Sequence, residues 1–216
     1  MNGTSLTLGL VGALAVAGFA KRGSASRSCS DDALVFYHGS QRWEGPPKIV
    51  AHRKGHAEHG PGIYLTTSWE TANKYAKGGG VVHRVKIDPD TRWLEDTKLP
   101  ASDMRAFVKG LPRLRHRDDI LDTLVRMEAR LGPMLPAEYL VNAFVNRDVA
   151  SGQHGPALAA FLTENGIDAS HVRVHAGEDW VVVFNPLQIC AIERLLPAQA
   201  MKEGFAFDLP RVRRRS

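Results

Sequence analysis

The strand-like and helix-like patterns of this chain are segregated, and that segregation limits its fold more than any other feature. Ala33–Tyr37 is a short apolar run that reads as a buried strand, Ile63–Thr66 as another, and Val81–Ile87 alternates in the period-two manner of a strand. A helix is expected over Thr67–Lys77, with Thr67 or Ser68 as its cap and Glu70 in the manner of a capping box. Four further helical stretches then follow one another: Ser102–Lys109, Asp118–Leu131, Pro136–Asn146 and Pro156–Glu164, the last with Gly166 as a C-cap signal. In the second of these Ile120, Leu124, Met127 and Leu131 recur at helical spacing. His171–Val174, Trp180–Phe184 and Cys190–Leu195 return to the strand pattern. Helices gathered between two groups of strands predict an α+β domain with a mostly antiparallel sheet and an inserted helical subdomain.

The composition agrees with one soluble core, since 44% of the 216 residues are hydrophobic and 24% charged. The formal net charge of +5 raises the question of a nucleic-acid or membrane partner. Its location answers part of that question. Residues 1–28 carry Lys21, Arg22 and Arg27 without an acid, and residues 210–216 carry Arg211, Arg213, Arg214 and Arg215 without an acid. Residues 29–209 therefore hold a small excess of acid, and the basicity lies at the ends. We divide the chain into an apolar N-terminal helix with its linker (1–30), a folded domain (31–209) and a basic tail (210–216).

Residues 6–20 are uncharged and apolar, but 15 helical residues span only about 22 Å against a hydrocarbon core of about 30 Å. Lys21 and Arg22 follow the run instead of preceding it, which is the reverse of a secretory signal. Gly9, Ala13 and Ala17 form a small-residue stripe suited to close helix packing in a membrane or a multi-subunit assembly. Cys29 and Cys190 are the only cysteines, too few for a disulfide scaffold; two reduced thiols are the expectation, with Cys190 in the core.

Three blocks carry chemistry. Tyr37-His38-Gly39-Ser40 follows a strand, Gly62-Ile63-Tyr64-Leu65-Thr66 runs into the helix that bears Thr71 and Tyr75, and Glu178-Asp179-Trp180 opens a late apolar strand. In order and wording they resemble the histidine-tyrosine-glutamate branch of the ADP-ribosyltransferases, whose poly(ADP-ribose) polymerase members carry an HGS strand end, a GIYF strand and a late strand bearing a glutamate. The likeness covers residues 33–195, and the helical region from 100 to 165 lies outside its specific motifs. It implies a fold with a split β-sandwich around an NAD cleft, and NAD as the co-substrate. The main chain of Gly39 would meet the nicotinamide amide. His38, with Ser40 beside it, would hold a ribose hydroxyl. Tyr64 and Tyr75 would flank the nicotinamide ring, and Thr71 would reach its carboxamide if one residue of slack is allowed. Glu178 would bond the nicotinamide ribose and stabilise the positive charge that develops as the nicotinamide–ribose bond breaks.

The carboxylate assignment stays open between Glu178, Asp179 and neither. Anchoring on Phe184-Asn185-Pro186-Leu187-Gln188 brings the glutamate position onto Trp180, whereas strand alternation puts Glu178, Trp180, Val182 and Phe184 on one face and Asp179 on the other. The expected activity is transfer of a single ADP-ribose to a macromolecular acceptor, protein rather than nucleic acid. An NAD-dependent RNA 2′-phosphotransferase is one alternative. A virion or membrane-associated structural protein with a decayed NAD site is another. Delivery with a phage particle or a secretion apparatus also suits the arrangement, so cytoplasm, virion and membrane surface remain as locations.

Other motifs carry less. His52, His56 and His59 could in principle bind zinc, but the glycines among them favour a loop flanking the cleft. The run Arg105, Lys109, Arg113, Arg115 and Arg117 could meet a pyrophosphate, a nucleic acid or only solvent. No GxGxxG fingerprint is present, which disfavours a Rossmann dehydrogenase.

Overall fold

A computed structural model of the protein describes residues 28–195, apart from Arg42, Glu44, Lys54, Gly55, Gly78, Gly79 and Ala176. The expected apolar helix over residues 6–20 and the arginine-rich tail lie outside the described residues. Within them, no helix is long and apolar enough to cross a membrane.

The architecture is α+β. Six strands form one antiparallel sheet: β1 (Leu34–Ser40), β2 (Ile63–Thr66), β3 (Val81–Ile87), β6 (Ala169–His175), β7 (Glu178–Val183) and β8 (Ile189–Leu195), in the order β6-β7-β2-β1-β3-β8. The short strands β4 (Lys98–Pro100) and β5 (Met134–Pro136) form a separate two-stranded ribbon that was not expected from the sequence. α1 (Trp69–Tyr75) lies between β2 and β3, and α2 (Ala101–Gly110), α3 (Arg117–Leu131), α4 (Glu138–Val145) and α5 (His154–Glu164) all fall between β4 and β6. The expected pair of sheets is therefore corrected to one large sheet and one small ribbon. The tripeptide His38-Gly39-Ser40, expected after the first strand, belongs to it.

Alternation along β7 explains how the sheet is covered on both faces. Val182 and Phe184 join the helical core with Leu140, Phe144, Leu158 and Leu162, whereas Val181 and Val183 join Phe36, Leu65, Val85 and Ile87 on the other side. In α3, Ile120 and Leu124 are fully buried and Met127 packs against the same core, but Leu131 at the helix end is 46% exposed. Asp168 is a buried pin for the start of β6: its carboxylate accepts from the main chain of Arg92 at 3.1 Å and from Asn185 Nδ2 at 2.7 Å.

β1 and β2 pair at a single position, Tyr37 with Thr66, and diverge beyond it. β1 stays paired with β3 along its whole length, from Leu34 with Ile87 to Ser40 with Val81. α1 then packs over β1 and β3, where Tyr37, Val82 and Leu195 enclose Ala72 and Ala76. Gly39 is where the helix comes closest. A Cβ added there would lie 1.7 Å from the carbonyl oxygen of Ala72 and 3.1 Å from the nitrogen of Ala76, so the glycine is demanded by the main chain of α1.

Cys29 and Cys190 form a disulfide with Cα atoms 5.3 Å apart, which corrects the expectation of two reduced thiols. The sheet brings together cysteines separated by 161 residues, and nothing in their spacing along the chain foretold it. Cys190 is accordingly a cross-link at the sheet edge and not a packed core thiol.

Two predictions follow from these contacts. Gly39→Ala should cost at least about 3 kcal/mol, a fall in Tm of roughly 6–12 °C in a thermal melt. Cys29→Ser should destabilise by about 2–5 kcal/mol in urea under non-reducing conditions and should make the protein indifferent to added reductant.

Candidate active site

The divergence of β1 from β2 opens a cleft of about 260 Å³ on the α1 side of the sheet. Its lining includes His38 and Gly39 from β1, Tyr64 and Thr66 from β2, Thr71 and Tyr75 from α1, and Trp180 from β7. Register accounts for this company. Tyr37 pairs with Thr66 and Thr66 with Trp180, so these three side chains form one row on one face, with Gly39, Tyr64 and Val182 two residues along.

His38 closes the gap where the strands part. Its Nδ1 lies 2.7 Å from the carbonyl oxygen of Tyr64 and therefore donates to it, leaving Nε2 as the other polar atom of the ring. Trp43 stands edge-on to the imidazole at 4.7 Å, and His83 is its cross-strand partner on β3. Burial lowers the His38 pKa, the hydrogen bond to Tyr64 opposes that effect, and His83 adds to it; the net direction is downward, which keeps the ring neutral near pH 7.

Tyr64 is anchored from the other side. Its hydroxyl donates to the carbonyl of Gly60 at 2.8 Å and accepts from the main chain of His59 at 3.0 Å. Burial pushes its pKa up to about 12, so it stays a neutral phenol. Gly60, at φ +106°, makes the turn that lets the chain double back onto this ring. His52 meets Tyr64 edge-on at 5.7 Å and its Nε2 lies 2.8 Å from the carbonyl of Gly62. The loop of histidines thus flanks the cleft, with His52, His56 and Glu58 in its lining. Among the described residues no group of three or more His, Cys, Asp or Glu could hold a metal ion.

Glu178, the first residue of β7, sits beside this cleft in a cradle of three donors. Its Oε1 accepts from Trp180 Nε1 at 2.6 Å and from Thr66 Oγ1 at 2.8 Å, and its Oε2 accepts from Thr71 Oγ1 at 3.0 Å. Partial burial pushes the carboxyl pKa up, but the hydrogen bonds from Trp180, Thr66 and Thr71, together with the Lys74 ammonium, outweigh it and hold the group below its ordinary value. A carboxylate offers about four lone-pair positions, so three donors leave room for one more at Oε2. Thr71 therefore reaches Glu178 in this structure. Thr66 and Trp180, absent from the expected set, complete the cradle.

Asp179 faces the opposite way, as alternation required. It is buried, lies 3.3 Å from His171 Nε2 and 3.5 Å from Arg173 Nε, and its main chain is clasped by Thr67 through two hydrogen bonds of 3.0 Å. These contacts make Asp179 a member of the scaffold. Tyr75 is 61% exposed and stands edge-on to Trp180 at 6.4 Å, which places it at the rim of the cleft. Ser40 does not line the cleft, and its buried hydroxyl has no hydrogen-bond partner among the described residues. None of the basic residues from Arg105 to Arg117 lines it either: Arg105 pairs with Glu128 and Arg117 bonds the carbonyl of Leu111.

No protein-family model matches the chain, and no curated protein matches it in sequence. Among solved structures, an anti-CRISPR protein aligns with 80% of this chain and 100% of its own at 13% identity and a TM-score of 0.33, a likeness too slight to bear on fold or function.

The buried His38 predicts a pH dependence of stability. Its pKa is lower folded than unfolded, so below about pH 6.5 the unfolded chain binds more protons and stability falls as pH falls. The contribution is fully present above that pH. Urea midpoints at pH 8, 6.5 and 5.5 should decline for the wild type, and His38→Asn should flatten the decline by no more than about 1.4 kcal/mol per pH unit.

Proposed function

We propose that the protein is an NAD-dependent mono-ADP-ribosyltransferase, which cleaves the nicotinamide–ribose bond and transfers ADP-ribose to a macromolecular acceptor. The observation that carries this reading is the Glu178 cradle at the edge of a cleft lined by His38, Gly39, Tyr64, Thr71 and Tyr75. Five residues expected from motifs far apart in the sequence line one recess, and the glutamate is fixed next to it.

The chemistry suits that arrangement. Loss of nicotinamide leaves positive charge on the ribose, and a carboxylate held ionised beside the reacting carbon stabilises that charge without rearranging during the reaction. The free lone pair of Oε2 is suited to a ribose hydroxyl. Tyr64 and Tyr75 both line the recess and suit an aromatic amide, and the main chain of β1 beyond Tyr37, which has no ladder partner on β2, is suited to its polar groups. Neutral His38 can accept from a hydroxyl through Nε2 while Nδ1 stays bonded to Tyr64.

Incubation with NAD labelled in the adenylate, with protein and RNA acceptors present, should release nicotinamide and transfer label, to protein in preference to RNA. NAD should also raise the melting temperature. Absence of all three effects would sink the assignment. Glu178→Gln should slow nicotinamide release by about 100-fold or more while NAD binding stays within a few-fold, because the lost charge acts on the transition state. Asp179→Asn should lower stability and leave turnover per folded molecule near that of the wild type; the reverse pattern would transfer the role to Asp179.

A further inference from the structure

Of the three donors that hold Glu178, Trp180 differs in kind. The hydroxyls of Thr66 and Thr71 can donate to a carboxylate or, by rotating, accept from a carboxylic acid, whereas an indole N–H only donates. Its contact with Oε1 is also the shortest of the three, at 2.6 Å. Trp180 is held so that it can do this. Its strand is paired on both sides, Thr66 being its partner on β2 and Val172 on β6. Its ring stands between His59, edge-on at 5.6 Å, and Tyr75, edge-on at 6.4 Å.

We infer that Trp180 is the positioning residue of the site: its indole N–H occupies Oε1, selects the ionised form of Glu178 and leaves Oε2 as the oxygen that meets substrate. Residues 178 and 180 project from the same face of β7, so the indole leans along the strand to cover one carboxylate oxygen and walls the cleft with its ring. The charged group that acts on Glu178 from α1 is Lys74, and His59 approaches Trp180 from the loop. Asp179, His171 and Arg173 interact on the opposite face of the strand. The kinetic consequences rest on the transferase reading; the effect on the carboxylate does not.

The test therefore has two arms. In the first, carbon-detected NMR follows the Glu178 carboxyl through its titration in the absence of NAD, in wild type and Trp180→Phe. The midpoint should move to higher pH in the variant. The wild-type Trp180 indole N–H resonance should titrate in step with Glu178 and lose that titration in Glu178→Gln, a measurement that does not depend on the folding of Trp180→Phe. In the second arm, Trp180→Phe should lower plateau kcat by about 10-fold to 100-fold with KM for NAD within about twofold, and should move the acid limb of the pH profile upward. An indole resonance insensitive to Glu178 ionisation, or an unmoved carboxyl midpoint in a folded variant, would overturn the inference. A moved midpoint in a protein that does not turn over NAD would uphold the positioning role and defeat the transferase reading instead.

Discussion

The site depends on the failure of β1 and β2 to pair beyond Tyr37 and Thr66. Two adjacent strands that separate inside a sheet leave main-chain groups in want of partners, and a fold can sustain this only if something else spans the gap. Here the imidazole of His38 does so, by donating to the Tyr64 carbonyl. β3 holds β1 along its outer side and β7 holds β2 along the other, so each half keeps one full ladder while the space between them stays open. The cleft is thus a consequence of topology: alternation brings Tyr37, Gly39, Tyr64, Thr66 and Trp180 to it from the sheet, while α1 and the histidine loop supply the rest of its wall.

The segment from Thr66 to Thr71 links the cleft to the carboxylate. Ser68 caps α1 by accepting from the main chain of Thr71 at 3.1 Å, and its own N–H donates to Thr66 Oγ1 at 3.0 Å. That contact turns the Thr66 hydroxyl so that its proton points at Glu178. Thr67, between them, clasps Asp179 on the far side of β7. One short stretch therefore starts a helix, aligns two donors on a carboxylate and fixes the strand that bears it. Such economy makes the orientation of Glu178 a property of secondary structure, with little left to side-chain mobility.

Much of this was legible in the sequence. Ile63–Thr66 and Val81–Ile87 have the bounds that the sequence predicts, because a glycine precedes each and polar and apolar residues alternate through the second from Arg84 onward. Alternation also separated Glu178 from Asp179 correctly. The β4–β5 ribbon escaped because three residues are too few to show a period, with Leu99 and Leu135 its only buried members. Alternation puts Trp180 on the face of Glu178, but a wall residue and a donor look the same in a pattern of apolar positions. The pattern marks Thr66 as the end of a strand, and only tertiary structure shows where its hydroxyl is aimed. The sequence marks Gly39 by what could lie against its main chain. The close approach of α1 supplies a second reason for the same residue, which no local pattern encodes.

The Cys29–Cys190 bond lies on β8, the edge strand that also ends the described chain at Leu195. The described chain therefore starts, next to Cys29, and stops, at Leu195, on the same margin of the sheet. The cleft opens between β1 and β2, inboard of that margin by β1 and β3, or roughly 10 Å from β1 at ordinary strand spacing. Reduction of the disulfide would accordingly release the start of the described chain at the rim of the sheet and leave β1 and β2, which frame the cleft, still held by β3 and β7.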